Sequence, residues 1–194
     1  MDNLSFIDNY LENSMSVKSR LKSDGSLISV VSAVSDLIVD VYKNGGRVLI
    51  AGNGGSAADA QHIAAEFVSR FYFDRPGLPS IALSTDTSML TAIGNDYGFD
   101  KLFSRQVQAQ GNEGDVFIGI STSGNSKNIL EAVKTCKELG VTSVALCGEG
   151  GRLAEMCDYS ISIPSKVTPH IQECHICVGH IICAIVEEKI FGND

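Results

Sequence analysis

Two groups of polar side chains in this sequence could carry out chemistry together. His62 and Glu66 are four residues apart in a segment with helical spacing, which places them on one helix face about one turn apart. A histidine and a carboxylate in that arrangement can share a metal cation or contact one substrate. Gln172, Glu173, His175 and His180 lie in a second, otherwise very apolar helical segment. Burying such groups unpaired would cost on the order of 2 kcal/mol or more, so they are candidates for pairing or function.

Two loops have the composition of an anion cradle. The first, residues 52–58, is rich in glycine and leads into a helix whose first N–H groups are unsatisfied. The second, residues 121–126, offers four hydroxyl groups at the start of another helix. Hydroxyls and helix N-terminal amides can bind phosphate without Lys or Arg. The first loop also fits the loose dinucleotide pattern G-x-G-x-x-A. The acidic residue that a nicotinamide site needs is misplaced, because Asp74 precedes the second predicted strand.

The elements that must position these residues follow from the hydrophobic pattern. Short apolar runs rich in branched residues predict five strands, at 47–51, 80–83, 116–120, 143–147 and 159–163. Helical spacing predicts two opening helices, at 4–22 and 26–43, and later helices at 57–70, 88–93, 102–110, 126–139, 153–156 and 169–191. Apolar strands that alternate with helices predict an α/β protein, a three-layer sandwich with a five-stranded parallel sheet. Residues 71–79 are predicted to form an exposed loop.

Composition and charge exclude several classes of protein. The chain has 194 residues with no linker-like stretch, which favours one domain over 1–194. Its formal charge of −8 argues against nucleic acid and anionic membrane as partners. The first residues are acidic where a secretory signal is basic, and no apolar run reaches the roughly 18 residues of a membrane span. We therefore expect a cytoplasmic protein whose six cysteines are reduced.

Taken together, the motifs resemble the SIS (sugar isomerase) domain family. The resemblance extends over nearly the whole chain, including the two opening helices, and rests on residues 52–62, 83–88, 94–98, 121–126 and 171–176. It implies a flavodoxin-like strand order, N-terminal helices at 1–45 that pack on the domain and on partner subunits, and a homotetramer with active sites near subunit interfaces. It also implies an aldose-ketose isomerase that converts sedoheptulose 7-phosphate to D-glycero-D-manno-heptose 7-phosphate through an enediolate. That reaction is the first step of ADP-heptose synthesis for lipopolysaccharide or capsule.

The resemblance assigns roles to individual residues of this chain. It implies one Zn²⁺ per subunit, held by His62, Glu66, Gln172 and His180. It implies substrate contacts from Asn53, Gly54, Gly55, Glu66, Asn95, Asp96, Ser121, Thr122, Ser123, Ser126 and Gln172. Glu66 is the candidate base for the carbon proton, and His180 is suited to ring opening or oxygen protonation. Pro169 stands where some members have an acidic residue, so an auxiliary acid is missing there.

The sequence leaves several alternatives open. One is a non-catalytic SIS tetramer that binds a replication initiator protein, and another is an isomerase of a different sugar phosphate, such as a pentose phosphate. A metal at the site is either catalytic or purely positional. Gln172 and His180 are eight residues apart, which is about 12 Å of rise on a continuous helix. Unless Gln172 lies in an irregular first turn, we expect a second copy of the chain to complete the site.

Overall fold

The computed structural model describes residues 2–192, which form eight α-helices and five strands. Helices α1 (Asn3–Ser23) and α2 (Gly25–Lys43) come first. The strands are β1 (Val48–Gly52), β2 (Ser80–Ala82), β3 (Val116–Ser121), β4 (Thr142–Gly148) and β5 (Tyr159–Ile163). The other helices are α3 (Gly55–Val68), α4 (Thr87–Tyr97), α5 (Leu102–Gln110), α6 (Lys127–Leu139), α7 (Leu153–Met156) and α8 (Thr168–Phe191), with a 3₁₀ turn at Phe99–Lys101.

All five strands are parallel and lie in the order β2-β1-β3-β4-β5. This confirms the predicted five-stranded parallel sheet and its flavodoxin-like order. The chain moves outward from β1 to β2 and then returns to the other side of β1 to form β3. The loops after β1 and β3 therefore diverge, and in open parallel sheets this switch point is where ligands bind.

Each face of the sheet has its own hydrophobic core. Alternate residues of a strand point to opposite faces, so Ile50 joins one core and its neighbour Leu49 joins the other. Helices α1, α2, α3 and α8 cover the first face, and α4, α5, α6 and α7 cover the second. The helices on both faces confirm the predicted three-layer sandwich.

Helix α4 differs most from its predicted bounds, 88–93. Asp86 caps its N-terminus by accepting a hydrogen bond from the N–H of Met89 at 2.8 Å, and the helix ends at Gly98, where φ is +84°. The helix has no buried residues. Apolar spacing therefore could not mark its last turn, which carries Asn95 and Asp96.

Helix α2 is apolar enough to deserve comparison with a membrane span, contrary to the expectation that no such run exists. An 18-residue window within Gly25–Lys43 has a mean hydropathy of 1.5, which by length and composition alone could cross a membrane. Its residues Leu27, Val31, Val34 and Ile38 are buried in the core of the first sheet face. A helix packed in a protein core passes the same test, and these residues of α2 pack in such a core.

The segment between α3 and β2 was expected to be an exposed loop, and this is only partly right. Arg75 of this segment forms an ion pair with Glu187 of α8, and the two side chains are 2% and 1% exposed. Burial alone would raise the pKa of Glu187. The backbone N–H groups of Phe71 and Tyr72 and the Arg75 guanidinium outweigh that effect and hold the pKa below its usual value. The loop is therefore anchored to α8 at its centre.

A second polar contact attaches α1 to α8. The Glu173 carboxylate accepts hydrogen bonds from Tyr10 Oη at 3.0 Å, from Lys18 Nζ at 3.0 Å and from Ser14 Oγ. The Ser14 hydroxyl, together with Lys18 and Tyr10, lowers the pKa of Glu173 to about 2. The carboxylate is thus more strongly held in the folded chain than in the unfolded chain.

This contact predicts an acid-sensitive contribution to stability. Because the folded pKa of Glu173 lies below the ordinary glutamate pKa of 4.5, its contribution is present above about pH 4.5 and lost as the pH falls toward 2. We expect Glu173→Gln to lower the free energy of unfolding at pH 7 by about 1 kcal/mol, since the partly exposed group is screened by solvent. Urea unfolding should show the difference from the unmodified chain shrinking between pH 4.5 and 2. Glu12→Gln, an exposed change on α1, is the control; a difference as large in that variant would contradict the assignment.

Candidate active site

His62, Glu66 and His180 form one compact cluster in a single chain. His62 Nε2 lies 3.0 Å from Glu66 Oε1 and 3.2 Å from His180 Nε2. One ligand atom from each of the three residues lies within 4.8 Å of the others. The Phe71 ring lies 5.5 Å, centroid to centroid, from the His180 ring. The structure therefore brings together three of the four residues expected to hold a metal.

The cluster exists because α3 and α8 pack closely side by side. A Cβ added at Gly179 would lie 2.7 Å from Ile63 Cδ1, so any other residue there would force the buried Ile63 side chain to move. Nearer the helix starts, Gly55 contacts Gln172, where an added Cβ would lie 2.4 Å from Gln172 Nε2. Position 55 therefore faces 172 and position 63 faces 179, so the two helices run in the same direction. His62 and His180 meet about two helical turns further toward the C-terminal ends of α3 and α8 than the contact between Gly55 and Gln172.

Gln172 does not join the cluster within one chain. Helix α8 begins at Thr168 with Pro169 in its first turn, so Gln172 lies in regular helix. Eight residues of regular helix separate Gln172 from His180, a rise of about 12 Å. The irregular first turn considered from the sequence is absent from α8 as described. Gln172 as a fourth metal ligand remains a prediction, and it needs a second copy of the chain.

The other two histidines of α8 lie elsewhere. His170 stacks against Tyr10 with ring centroids 4.7 Å apart. His175 is fully buried, and neither of its ring nitrogens has a hydrogen-bond partner among the described residues. Burial lowers the pKa of His175 to about 4, so it is neutral at physiological pH. Three histidines that are close in sequence thus have three different environments.

The hydroxyl-rich loop follows β3, as predicted. Ser121 Oγ lies 2.9 Å from Ser126 Oγ, and the N–H of Asn125 donates to Ser123 Oγ at 3.2 Å. The half-buried Thr122 accepts a hydrogen bond from the N–H of Gly148 through its carbonyl oxygen, at 3.1 Å. Ser126 precedes α6 without forming a side-chain cap, which leaves the first N–H groups of the helix free to bind an anion.

The glycine loop lies beside this loop, and an amide pair joins them. Gly54 precedes α3 with φ of +55°, a conformation that favours glycine. Asn53 Nδ2 donates to Asn128 Oδ1 at 3.0 Å, and Asn128 Nδ2 donates to Asn53 Oδ1 at 2.9 Å. Asn128 was not among the residues predicted to line the site. Its place in the first turn of α6, directly after the hydroxyl loop, is the signal that could have pointed to it.

Among the described residues, Asn95 and Asp96 form no side-chain hydrogen bond to either ligand loop. Both are exposed on α4, and Asn95 Nδ2 donates to Asp96 Oδ1 at 2.8 Å. Helix α4 packs on α5 and on the 3₁₀ turn. Their expected role in substrate binding remains a prediction.

The donor set of the cluster is suited to a zinc ion. Two imidazoles and one carboxylate are the ligands of many catalytic zinc sites, which keep a fourth position open. Tetrahedral zinc with ligand distances of about 2.0–2.1 Å sets its ligand atoms roughly 3.3 Å apart. The observed separations of 3.0 and 3.2 Å are close to that value. His62, Glu66 and His180 could therefore hold the metal with little rearrangement.

The fold and the hydroxyl loop define a SIS-type α/β protein, and the SIS domain family profile matches residues 9–148. The chain is 61% identical to a phosphoheptose isomerase of Aneurinibacillus thermoaerophilus, over 97% of this chain and 96% of that protein. It is 62% identical to phosphoheptose isomerase 2 of Campylobacter jejuni, over 100% of this chain and 97% of that protein. The chain belongs to the SIS domain family, in the group of the phosphoheptose isomerases.

Solved structures agree with this assignment. A phosphoheptose isomerase from Francisella tularensis superposes with a TM-score of 0.93 at 38% identity, covering 97% of this chain and 100% of that one. The phosphoheptose isomerase from Neisseria gonorrhoeae gives a TM-score of 0.90 at 41% identity, covering 96% of this chain and 100% of that one. The similarity includes the N-terminal helices as well as the sheet.

The hydroxyl loop predicts a site for inorganic phosphate. Bound phosphate should raise the melting temperature of the unmodified protein, because a ligand that binds only the folded state stabilises it. We expect Ser121→Ala/Ser126→Ala to lose most of that increase in a thermal-shift titration. Ser160→Ala/Ser162→Ala removes a similar hydroxyl pair, 3.0 Å apart on β5, and should keep the increase. Equal responses of the two double variants would place phosphate elsewhere.

Proposed function

We propose that this protein isomerises sedoheptulose 7-phosphate to D-glycero-D-manno-heptose 7-phosphate, and that His62, Glu66 and His180 form its reacting centre. The observation that supports this most directly is the single-chain cluster of these three side chains, in a fold whose loop after β3 presents a group of hydroxyls. Full-length relatives that share more than 60% of the sequence are named for this class of reaction. The expected product enters ADP-heptose synthesis.

The site has a binding end and a reacting end. Hydroxyl groups and free helix amides after β3 suit the phosphate, which takes no part in the reaction. The amide pair of Asn53 and Asn128 and the backbone of Gly54 and Gly55 line the adjacent turn, where sugar hydroxyls would bind. The anionic substrate would thus be held by hydroxyl and amide dipoles. No cationic side chain is required, although the net charge of the protein is −8.

The reaction moves one proton between two carbons and one between two oxygens. Glu66 is the base that takes the proton from C1 of the ketose and returns it to C2, since a carboxylate can accept and release the proton from one position. His180 transfers the proton between the oxygens of C1 and C2, or assists ring opening, because an imidazole can donate and accept near neutral pH. His62 contacts both Glu66 and His180 and holds them together.

Zinc is the metal that this donor set suits. His62, Glu66 and His180 would hold it, with Gln172 of a second copy as a fourth ligand. When bound, zinc would supply Lewis-acid polarisation of the substrate carbonyl. A Glu66 carboxylate that binds the metal is a weaker base than a free carboxylate. If Glu66 takes the proton, the ion therefore serves better to position the side chains than to catalyse the reaction.

We further propose that the protein works in the cytoplasm as a homotetramer. Its anionic substrate class and reduced cysteines fit that compartment, and all six cysteines are free. Large apolar side chains are exposed along α1, at Leu4, Phe6, Ile7, Leu11 and Met15. Such a stripe is typical of a surface covered by another subunit. A second copy would also bring a further Gln172 to the site.

Glu66→Gln tests the assignment of the base. The change keeps the size of the side chain and removes the carboxylate, so kcat should fall by about 100-fold or more while the protein stays folded. His180→Gln should be comparably damaging. Activity is measured as aldose formation from sedoheptulose 7-phosphate, with the exposed Glu138→Gln as a control that keeps full activity. A Glu66→Gln enzyme that turns over at the normal rate would exclude Glu66 as the base.

Hybrid oligomers test whether two chains complete one site. Inactive Gln172→Ala and His180→Gln proteins are dissociated reversibly, mixed and reassembled. Some hybrid sites then combine an intact His62–Glu66–His180 cluster with an intact Gln172, so part of the activity should return.

The matched control is a mixture of Glu66→Gln and His180→Gln proteins. Both lesions fall in the same single-chain cluster, so every site keeps one of them and the mixture should stay inactive. Native mass spectrometry confirms that hybrids form. Hybrids of the first pair that remain inactive would show that each site takes Gln172 and His180 from one chain.

A further inference from the structure

One buried arginine joins the last turn of α3 to the neighbouring loop. Arg75 donates from Nη2 to the carbonyl oxygen of Glu66 at 2.8 Å and from Nη1 to the carbonyl oxygens of Phe67, Ser69 and Pro76. The final carbonyl groups of a helix have no partner within the helix, and Arg75 supplies one to Glu66 and, together with the N–H of Leu78, to Phe67. These bonds also fix the turn of α3 that carries Glu66.

The same arginine is bound to α8 through Glu187. Arg75 Nε donates to Glu187 Oε1 at 2.9 Å. The carboxylate also accepts from the N–H of Phe71 at 2.8 Å and from the N–H of Tyr72 at 2.6 Å. Glu187 lies seven residues after His180, which is two turns along the same face of α8. Its bond to the N–H of Phe71 also holds the backbone of the residue whose ring lies against His180.

We propose that Arg75 and Glu187 are positioning residues for the reaction, which set the distance and orientation between Glu66 on α3 and His180 on α8. They touch no reacting atom. Arg75 binds the backbone of Glu66, Glu187 is on the helix of His180, and the two side chains are bonded to each other. The pair is therefore a second polar connection between α3 and α8, in addition to the direct contact of His62 Nε2 with His180 Nε2 at 3.2 Å. This inference rests on the proposed function.

The chemistry of the pair suits this task better than a purely structural role. A buried ion pair usually contributes little net stability over apolar residues of similar volume, so stability alone is a poor reason for it. Its directional bonds specify geometry, and Arg provides a planar fork that reaches several acceptors at once. Some residues orient metal ligands or catalytic side chains without touching the metal or the substrate. Removing such a residue typically lowers metal affinity or activity by about 10–100-fold.

The test compares Arg75→Met and Glu187→Gln with the unmodified protein. We expect kcat to fall by about tenfold or more while KM changes less than about threefold, because the phosphate loop after β3 is untouched. The dissociation constant for Zn²⁺, measured by calorimetry on metal-free protein, should rise by about tenfold or more. The ring-proton NMR signals of His180, which sense Phe71, should shift in the metal-free variants.

Conservative and structural controls separate positioning from stability. Arg75→Lys and Glu187→Asp keep the charges and should recover part of kcat and of zinc affinity, even where the first variants fail to fold. Val107→Ala removes core volume on the opposite face of the sheet, so it should lower the urea midpoint while keeping kcat, zinc affinity and the His180 signals. Glu188→Gln, the exposed neighbour, should change none of these.

The outcomes distinguish the two proposals. If variants at 75 and 187 lose stability yet match Val107→Ala in kcat, zinc affinity and His180 signals, the positioning role is overturned. If the unmodified protein fails to isomerise sedoheptulose 7-phosphate while the zinc and NMR effects occur as expected, the proposed function is wrong. In that case the positioning of the cluster by Arg75 and Glu187 still stands.

Discussion

The close side-by-side packing of α3 and α8 is the constraint on which the rest of the site depends. Gly179 lets α8 approach Ile63 on α3 so closely that a side chain at position 179 would displace the Ile63 side chain. Because the helices run in the same direction, their matching turns stay adjacent along the contact. His62 and Glu66 therefore meet His180 at one level, and Gly55 meets Gln172 at another. A shift of one helix by a single residue would rotate these side chains about 100° and separate the cluster.

Local sequence patterns predicted the parts of the fold that have local causes. Branched apolar runs marked the five strands, and the glycine and hydroxyl loops marked the edge where they end. The pair at positions 62 and 66 was visible because helical spacing alone places both residues on one face. His180 was expected beside them only through the family resemblance. Its neighbours His170 and His175 looked equally suitable in sequence, and the side of α8 that each occupies decided their different environments.

Contacts between distant residues could not be predicted in this way. Arg75 and Glu187 are 112 residues apart in sequence, and Asn53 and Asn128 are 75 apart. Neither pair belongs to a periodic pattern, because each depends on how a loop crosses a helix or meets another loop. The segment around Arg75 was polar enough to be taken for an exposed loop. Its charge is buried only because Glu187 and the carbonyl groups at the end of α3 surround it, and these partners come from two other parts of the chain.

The amide pair between Asn53 and Asn128 spans the point at which the sheet reverses its strand order. Both side chains are neutral and cannot titrate, and each acts once as donor and once as acceptor. The spacing of the two ligand loops is therefore fixed by groups that respond to neither acidity nor ionic strength. Such a crevice keeps its width across the working range of the protein, so the pH profile of turnover reports directly on the reacting side chains and the substrate.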